Sequence, residues 1–252
     1  MVANLWMICL YLFLVVLLTL TGCAGGITQS PLGRTRVLAF TDQDLNEHGE
    51  KEFAKIRAQS LIETDVAVTR YVACIARALI AEVRDPTGVK NWVVVVFKND
   101  TPNVFSLPGG KVGVNTGMLL LARTPHQLAA VLAHGIASIT ARHPNERASK
   151  RLRADVGAAL LGLGRPSALG DPMAADTALV LEADTLGQLL MAQAGFDPNA
   201  SLLLWESMQR DSGASPSPLT EQRIENLKGT LPRSLNFYEE ARRIGKVPTC
   251  SP

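Results

Sequence analysis

The stretch QLAAVLAHGIAS, at residues 127–138, decides the fold. Small and apolar residues dominate it, and two of its few polar side chains, His134 and Ser138, lie four residues apart. The pattern predicts a helix over residues 127–143. Because positions i and i+4 differ by only about 40° around a helix, His134 and Ser138 would share one face. Any chemistry carried by this helix therefore depends on His134 and its neighbours.

The residues before this helix predict a small sheet. The β-branched run WVVVVF at 92–97 is typical of a buried strand. Two further apolar segments, 104–106 and 111–114, flank Pro108, Gly109 and Gly110 as in a β-hairpin. The remaining pattern is helical over residues 116–122, 127–143, 146–163, 174–193, 198–210, 221–227 and 235–244. A small sheet among many helices predicts an α+β fold.

Three segments are expected along the chain. Residues 1–22 resemble a lipoprotein signal peptide, residues 23–40 are expected to form a flexible tether, and residues 41–252 form the folded domain. The tether assignment rests on the Gly, Ser, Thr and Pro content of residues 24–36. Residues 42–83 predict one long helix, which ends at the turn sequence DPTG of residues 85–88.

The N-terminal residues indicate export and lipidation. The apolar run of residues 5–20 ends in LTGC, which resembles the bacterial lipobox, so Cys23 is expected to become the lipidated first residue. The run is short for a membrane-spanning helix, although an uncleaved anchor is the alternative, because no Lys or Arg precedes it. The same resemblance implies the outer membrane, because the residue after the cysteine is Ala24 and not Asp. We therefore expect a lipid-anchored protein on the periplasmic face of a bacterial outer membrane.

Composition limits the partners. The net charge is +2 and no block of Lys or Arg occurs, so a nucleic-acid partner is not expected. An apolar content of 47% is ordinary for a globular protein. In an oxidising compartment, Cys74 and Cys250 can form a disulfide. The alternative is a buried Cys74 thiol with Cys250 free in a frayed tail.

Three blocks of sequence resemble the HtpX and CaaX-prenyl-endopeptidase type of zinc metallopeptidases, and in particular their soluble periplasmic lipoprotein members. The first block comprises NVFSLPGG at 103–110, VNTGML at 114–119, QLAAVLAH at 127–134 and TARH at 140–143. The second comprises EADTLG at 182–187 and AGFDP at 194–198, and the third is PLTEQRI at 218–224. The resemblance implies a zincin-like fold with the sheet beside the active-site helix.

The resemblance also implies which residues would carry catalysis. The family motif H-E-x-x-H places a zinc ligand at His134, a general base at Gly135 and a second ligand at Ser138. The third ligand, a glutamate, falls at Val180, and the His of the family's C-terminal H-P motif falls at Ser217. Of these positions, only His134 keeps its functional group. The glycine is also a poor helix former, which indicates that position 135 no longer serves hydrolysis.

Neighbouring residues are not expected to restore a metal site. Glu182 lies about 200° around the helix from Val180, and His143 about 180° from His134 on one continuous helix. His126 is expected at the solvated start of the helix. No cofactor is therefore predicted; zinc is expected only if an unusual ligand set exists.

Two retained features have two readings each. Asp184 stands where relatives orient the first His, so it either keeps that role or forms a buried polar pair with His134. The segment Pro108, Gly109 and Gly110 either receives a peptide by strand addition or only shapes the hairpin.

Together these features predict a catalytically inactive metallopeptidase homologue. It would bind peptides or envelope proteins in the cleft beside His134. The alternatives are an active zinc endopeptidase of envelope quality control with an unusual ligand set, and a structural lipoprotein without a ligand.

Overall fold

The computed structural model describes residues 26–160, 176–211 and 218–251. The strands are β1 (Gly26–Gln29), β2 (Thr35–Leu38), β3 (Val93–Phe97), β4 (Val104–Leu107) and β5 (Lys111–Asn115). The helices are α1 (Asp42–Gln59), α2 (Val66–Ile80), α3 (Thr116–Leu121), α4 (Pro125–Thr140), α5 (His143–Leu160), α6 (Thr177–Gln193), α7 (Asn199–Asp211) and α8 (Pro218–Arg243). The predicted α+β class is confirmed. The signal peptide at 1–22, the lipidation site Cys23 and Ser217 lie outside the described residues.

The three-stranded sheet places β4 at an edge. Its order is β3-β5-β4, with β5 parallel to β3 and antiparallel to β4. All five residues of the central strand β5 are buried, whereas those of β4 are half-buried. The strand run and the hairpin predicted from β-branched residues are both present in this sheet.

The prediction of one long helix over residues 42–83 is wrong, because the structure has two helices there. Residues 60–65 are extended, and the backbone N–H of Glu63 donates to Val96 of β3 at 2.9 Å. Asp65 then begins α2, because its side chain accepts hydrogen bonds from the N–H groups of Ala67 and Val68. The helical spacing of apolar residues continues across residues 60–65, so it gave no indication that this segment pairs with the sheet.

The flexible tether predicted for residues 23–40 is also wrong for the described part. Strands β1 and β2 pair as an antiparallel hairpin, and β2 lies against α5. Arg36 of β2 is buried and donates to the backbone carbonyl of Ala141. Gly, Ser and Thr gave this segment the composition of a linker, but long-range contacts of its arginines order it.

Helices α4 and α6 form the centre of the molecule. Eleven residues of α4 are buried, among them Leu128, Leu132 and Ile136. Gly187 lies inside α6, and a Cβ atom there would lie 2.8 Å from the backbone nitrogen of His134. This glycine allows the two helix backbones to approach closely at the level of His134.

The C-terminal part is more continuous than expected. The two helices predicted at 221–227 and 235–244 are one helix, α8, which contains Pro232. Leu227 and Ser234 are buried on either side of this proline, so packing against α6 and α7 offsets the hydrogen bond that Pro232 cannot donate. Beyond α8, Cys250 is joined to Cys74 of α2 by a disulfide with a Cα–Cα distance of 5.7 Å.

Within residues 26–160, 176–211 and 218–251, no helix combines the length and apolarity needed to cross a membrane.

Candidate functional site

His134 is held by a carboxylate from the neighbouring helix. Its Nδ1 atom lies 2.7 Å from Oδ1 of Asp184, which is on α6. The side chain of Asp184 is 2% exposed and that of His134 is 30% exposed. Among the hydrogen bonds between described residues, those of His134 involve only Nδ1. The imidazole is therefore fixed through Nδ1 while the side chain stays partly exposed.

Arg223 of α8 completes this polar group. Its Nε and Nη2 atoms donate to the two oxygens of Asp184 at 2.7 Å and 2.6 Å. The guanidinium also stacks on Trp205 of α7, 3.3 Å from the ring centroid. Burial alone would raise the pKa of Asp184, but the hydrogen bonds of His134 and Arg223 outweigh it and lower that pKa. Asp184 is therefore ionised and accepts from both partners.

A cavity of about 230 Å³ opens beside this group. It is lined by His134 and Arg223 and by mostly apolar side chains from β4, α3, α4 and α7, including Val104, Met118, Ala130, Val131, Trp205 and Met208. The cavity thus joins the edge of the sheet to the open side of the imidazole.

The edge strand β4 borders the cavity, not the Pro108–Gly110 segment that was expected to receive a peptide. Gly109 and Gly110 form the β4–β5 turn with φ of 78° and 72°. That turn is covered by α1, since a Cβ atom at Gly109 would lie 2.9 Å from the carbonyl oxygen of Asn46. This contact supports the hairpin-shaping role of the turn residues, and peptide binding by Pro108, Gly109 and Gly110 stays a prediction.

The backbone of β4 is the group that is free to pair. Asn115 donates to Asn103 across the sheet, so the hydrogen-bonded pairs include Phe105 with Gly113. The N–H and C=O groups of Val104 and Ser106 must then point away from β5. Gly135 lies beneath this strand, because a Cβ atom there would be 3.5 Å from Cβ of Ser106.

Comparison with known proteins gives this arrangement a family. Residues 67–170, which include β3, β4, β5, α4 and His134, match the model of peptidase family M48. Over these residues the chain is similar to the M48 peptidases. The match supports the zincin-like fold expected from the sequence resemblance, at the level of the family rather than of the HtpX type.

Several curated proteins align with this chain. The mitochondrial metalloendopeptidase OMA1 of Schizosaccharomyces pombe is 35% identical over 66% of this chain and 54% of its own length. The putative beta-barrel assembly-enhancing protease of Vibrio cholerae is 28% identical over 63% of this chain and 36% of its own length. The beta-barrel assembly-enhancing protease of Escherichia coli is 24% identical over 78% of this chain and 47% of its own length. The chain thus spans about half or less of these relatives.

The residues at the M48 metal position do not fit zinc. Zinc needs three protein ligands from His, Cys, Asp or Glu. Ser138 and Val180 are buried one helical turn from His134 and Asp184 respectively, and neither supplies such a donor. Among the residues that the structure describes, no three His, Cys, Asp or Glu side chains are grouped to hold a metal ion. No catalytic step through a metal can therefore be derived from these residues.

The other residues considered as compensating ligands have different partners. His143 begins α5, so the prediction of one helix through His134 and His143 is wrong: Arg142, with φ of 59°, turns the chain between α4 and α5. Nε2 of His143 lies 3.1 Å from Glu182 on the side of α6 opposite to Asp184. His126 is half-buried and accepts from the backbone N–H of Asp197 at 3.2 Å, so its expected solvated position is also wrong.

A buried ionic cluster on the far side of α6 was not predicted. It consists of Arg34, His143, Glu146 and Glu182 and is called the Arg34 cluster below. The Arg34 guanidinium lies 2.8 Å from Glu146 and 2.6 Å from Glu182, whose side chains are only 2% and 3% exposed. This cluster fixes the N-terminal hairpin to α5 and α6. Its sequence signal was weak, because Arg34 stands in a segment with the composition of a tether.

The ionisation of the Arg34 cluster follows from burial and pairing. Burial lowers the pKa of His143 despite its hydrogen bond with Glu182, so the imidazole is neutral. Burial would raise the pKa of Glu182, but hydrogen bonds from His143 and Arg34 outweigh burial and lower it. Burial would likewise raise the pKa of Glu146, but hydrogen bonds from Arg34 and Lys150 lower it.

These shifts predict a loss of stability in acid. Below pH 6.5, the ordinary pKa of His143, the unfolded chain binds a proton that the folded chain does not, and below 4.5 the same holds for Glu146 and Glu182. The free energy of unfolding should keep its full value above pH 6.5. Below that pH it should fall by up to about 1.4 kcal/mol for each unit of decreasing pH, as His143 binds a proton in the unfolded chain. His143→Gln should remove that part of the slope in urea titrations between these limits. A slope in the His143 variant equal to that of the unaltered chain would contradict the assignment.

Proposed function

We propose that this chain is a catalytically inactive M48 homologue that binds extended peptides or unfolded envelope proteins in the cleft beside His134. Lipidation at Cys23 would hold it on the periplasmic face of a bacterial outer membrane. The observation that carries the proposal is the donor set of the cleft. His134 remains, with Nδ1 committed to Asp184, while positions 135, 138 and 180 carry Gly, Ser and Val.

The scaffold for binding a peptide is intact although the metal ligands are replaced. An extended segment can pair with the outward N–H and C=O groups of Val104 and Ser106. Its side chains on one face would then enter the cavity that Val104 and His134 share. Backbone pairing accepts many sequences, which suits a protein that recognises unfolded chains rather than one folded partner.

A second candidate, an active zinc endopeptidase, is favoured by the names of the relatives. The aligned proteins are described as metalloendopeptidases or as proteases. Activity in this chain would need ligands other than Ser138 and Val180. The two candidates differ in metal content and in the fate of a bound peptide.

Proline at position 106 tests the peptide-binding edge. Because the Ser106 N–H points away from β5, Ser106→Pro removes a donor from the free edge while leaving the β4–β5 hydrogen bonds in place. We expect this variant to bind a fluorescent, serine- and valine-rich peptide about 10-fold more weakly, because one hydrogen bond is lost and the proline alters the edge of the strand. Ser106→Ala, which keeps the N–H, is the matched control and should bind as the unaltered chain does. Equal binding by Ser106→Pro would contradict the proposed edge.

The same purified protein distinguishes the two candidates. We expect substoichiometric zinc by atomic emission and no chelator-sensitive cleavage of the peptide. One zinc per chain with cleavage that His134→Ala abolishes would establish the endopeptidase instead. The positive control is the triple variant Gly135→Glu, Ser138→His and Val180→Glu, which should bind zinc because positions 134, 138 and 180 would then supply three ligands. Position 135 has space for the added side chain next to Ser106. A chain that binds neither peptide nor zinc would be a structural lipoprotein.

A further inference from the structure

The C-terminal half of α5 carries an exposed apolar stripe. Leu152, Val156 and Leu160 follow one another at intervals of four residues, so they lie along one side of the helix within about 80°. These residues are 42%, 49% and 82% exposed. Single exposed apolar residues are ordinary on a protein surface, but a continuous stripe of them indicates a surface that binds something.

This half of α5 extends beyond the packed part of the molecule. The helix is held as far as the buried Ser149, whose hydroxyl accepts from the backbone N–H of Ala39 at 2.7 Å. After Ser149, none of the described side chains of α5 is buried. The apolar stripe therefore continues a packed helix into a segment that the described part of the chain leaves exposed.

Basic side chains flank the stripe. Arg151 and Arg153 each lie about 100° around the helix from Leu152, on opposite sides, and both are exposed. Asp155 is the single acidic residue in this half of the helix, and Arg147 adds a further exposed positive charge one turn earlier. An apolar stripe between arginines is typical of a helix that attaches to a lipid surface, because the long basic side chains reach the headgroups while the apolar side chains enter the lipid.

The N-terminal end of the described chain lies beside this half of α5. Gly26, the first described residue, pairs with the last residue of β2. The residue after that strand is Ala39, which donates to Ser149, three residues before the stripe begins. Cys23 precedes Gly26 by three residues, which span at most about 11 Å. A lipid attached to Cys23 would therefore bring the stripe close to the bilayer.

We propose that the C-terminal half of α5 docks on an anionic lipid bilayer, with Leu152, Val156 and Leu160 in the apolar layer and Arg151 and Arg153 at the headgroups. The helix lies in the plane of the interface, since no helix of the described residues is long and apolar enough to cross a membrane. This inference deepens the proposed function and rests on it for the position of the lipid anchor. Docking fixes how the domain is oriented on the bilayer, whereas an anchor alone leaves the domain free to rotate.

The test uses a chain that begins at residue 23 with Cys23→Ser, which keeps every described residue and carries no lipid. Its binding is measured by sedimentation with vesicles of phosphatidylglycerol and phosphatidylcholine in equal parts. We expect Leu160→Ser to bind about 10-fold more weakly, because a large apolar side chain no longer enters the lipid. Leu120→Ser, at a similarly exposed position of α3, is the matched control and should bind as the unsubstituted chain does.

The charge of the lipid and of the helix gives a second measurement. Arg153→Gln should weaken binding to the anionic vesicles about 5-fold, as expected for one arginine near an anionic surface. Arg123→Gln, at an exposed position before α4, is the control and should bind as the unsubstituted chain does. On vesicles of phosphatidylcholine alone, the unsubstituted chain should bind more weakly and Arg153→Gln should make no further difference.

A fluorescence measurement locates the docked residue directly. Leu160→Trp should move the tryptophan emission to shorter wavelength when anionic vesicles are added, because the new side chain enters the lipid. Leu120→Trp should show no such shift. Both positions are exposed, so neither substitution disturbs the core.

Two outcomes overturn docking through α5. One is the absence of binding to anionic vesicles, or equal binding by Leu160→Ser and the unsubstituted chain. The other is self-association that Leu160→Ser abolishes, in place of vesicle binding, because the stripe would then join two copies of this chain. Neither outcome alters peptide binding at β4 or the lipid on Cys23, which mass spectrometry of the full chain detects, so failure of docking is distinct from failure of the proposed function.

Discussion

Replacing Arg34 by methionine should lower the free energy of unfolding by about 2–4 kcal/mol. The change removes the cation that joins Glu146 and Glu182, and breaking a buried ion pair from one side typically costs about 3–5 kcal/mol. The expected loss is smaller because Arg34 is 30% exposed, and because Lys150 and His143 keep contacts with the two carboxylates. Urea titration followed by circular dichroism at neutral pH measures it.

The matched control for Arg34 is Arg153→Met on the exposed face of α5, where the same substitution should change stability by less than about 0.5 kcal/mol. Adding Glu146→Gln and Glu182→Gln to the Arg34 variant should recover part of the loss, because neutral amides tolerate burial better than unpaired carboxylates. A loss below about 1 kcal/mol for Arg34→Met would show that the N-terminal hairpin is not held by this ion pair.

The second large effect is expected from the disulfide. Cys74 and Cys250 are 176 residues apart, so their bond restricts nearly the whole folded domain when it unfolds. Loop-entropy arguments give about 5 kcal/mol for a loop of this size, and measured effects are commonly smaller. We expect the double variant Cys74→Ala and Cys250→Ala to lose about 3–5 kcal/mol relative to the oxidised chain, again by urea titration.

Reduction provides the control for the disulfide. Dithiothreitol should destabilise the unaltered chain by a similar amount and leave the double variant unchanged. The tail is also held by Lys246, which lies 2.7 Å from Glu82, so Lys246→Ala gives the contribution of the non-covalent contact. An unaltered chain that resists urea equally well with and without dithiothreitol would contradict the predicted contribution.

Local signals in the sequence predicted the features that depend on neighbours along the chain. The β-branched run gave β3 and the apolar stretch around His134 gave α4, and both depend on strand or helical periodicity alone. The Asp184 partner of His134 was implied by the family resemblance instead. The bounds of α4 differ by only a few residues from the expected 127–143.

Features that depend on distant contacts could not be predicted in this way. The hairpin of β1 and β2 is ordered by Arg34 and Arg36, whose partners lie on α4, α5 and α6. The stacking of Arg223 on Trp205 joins α8 to α7, although the motif containing Arg223 was recognised. Periodicity carries no information about such pairs, because it does not state which faces meet.

Helix α6 is held in its rotation by two ion pairs on opposite sides. Glu182 and Asp184 project to opposite sides, so ion pairs with Arg34 and Arg223 fix the rotation of the helix from two directions. A turn of one residue would move both carboxylates by about 100° and break both pairs at once. These two ion pairs therefore fix the orientation of the helix together with its packing. Val180 takes part in neither pair, so a change at that position would leave the orientation of α6 in place.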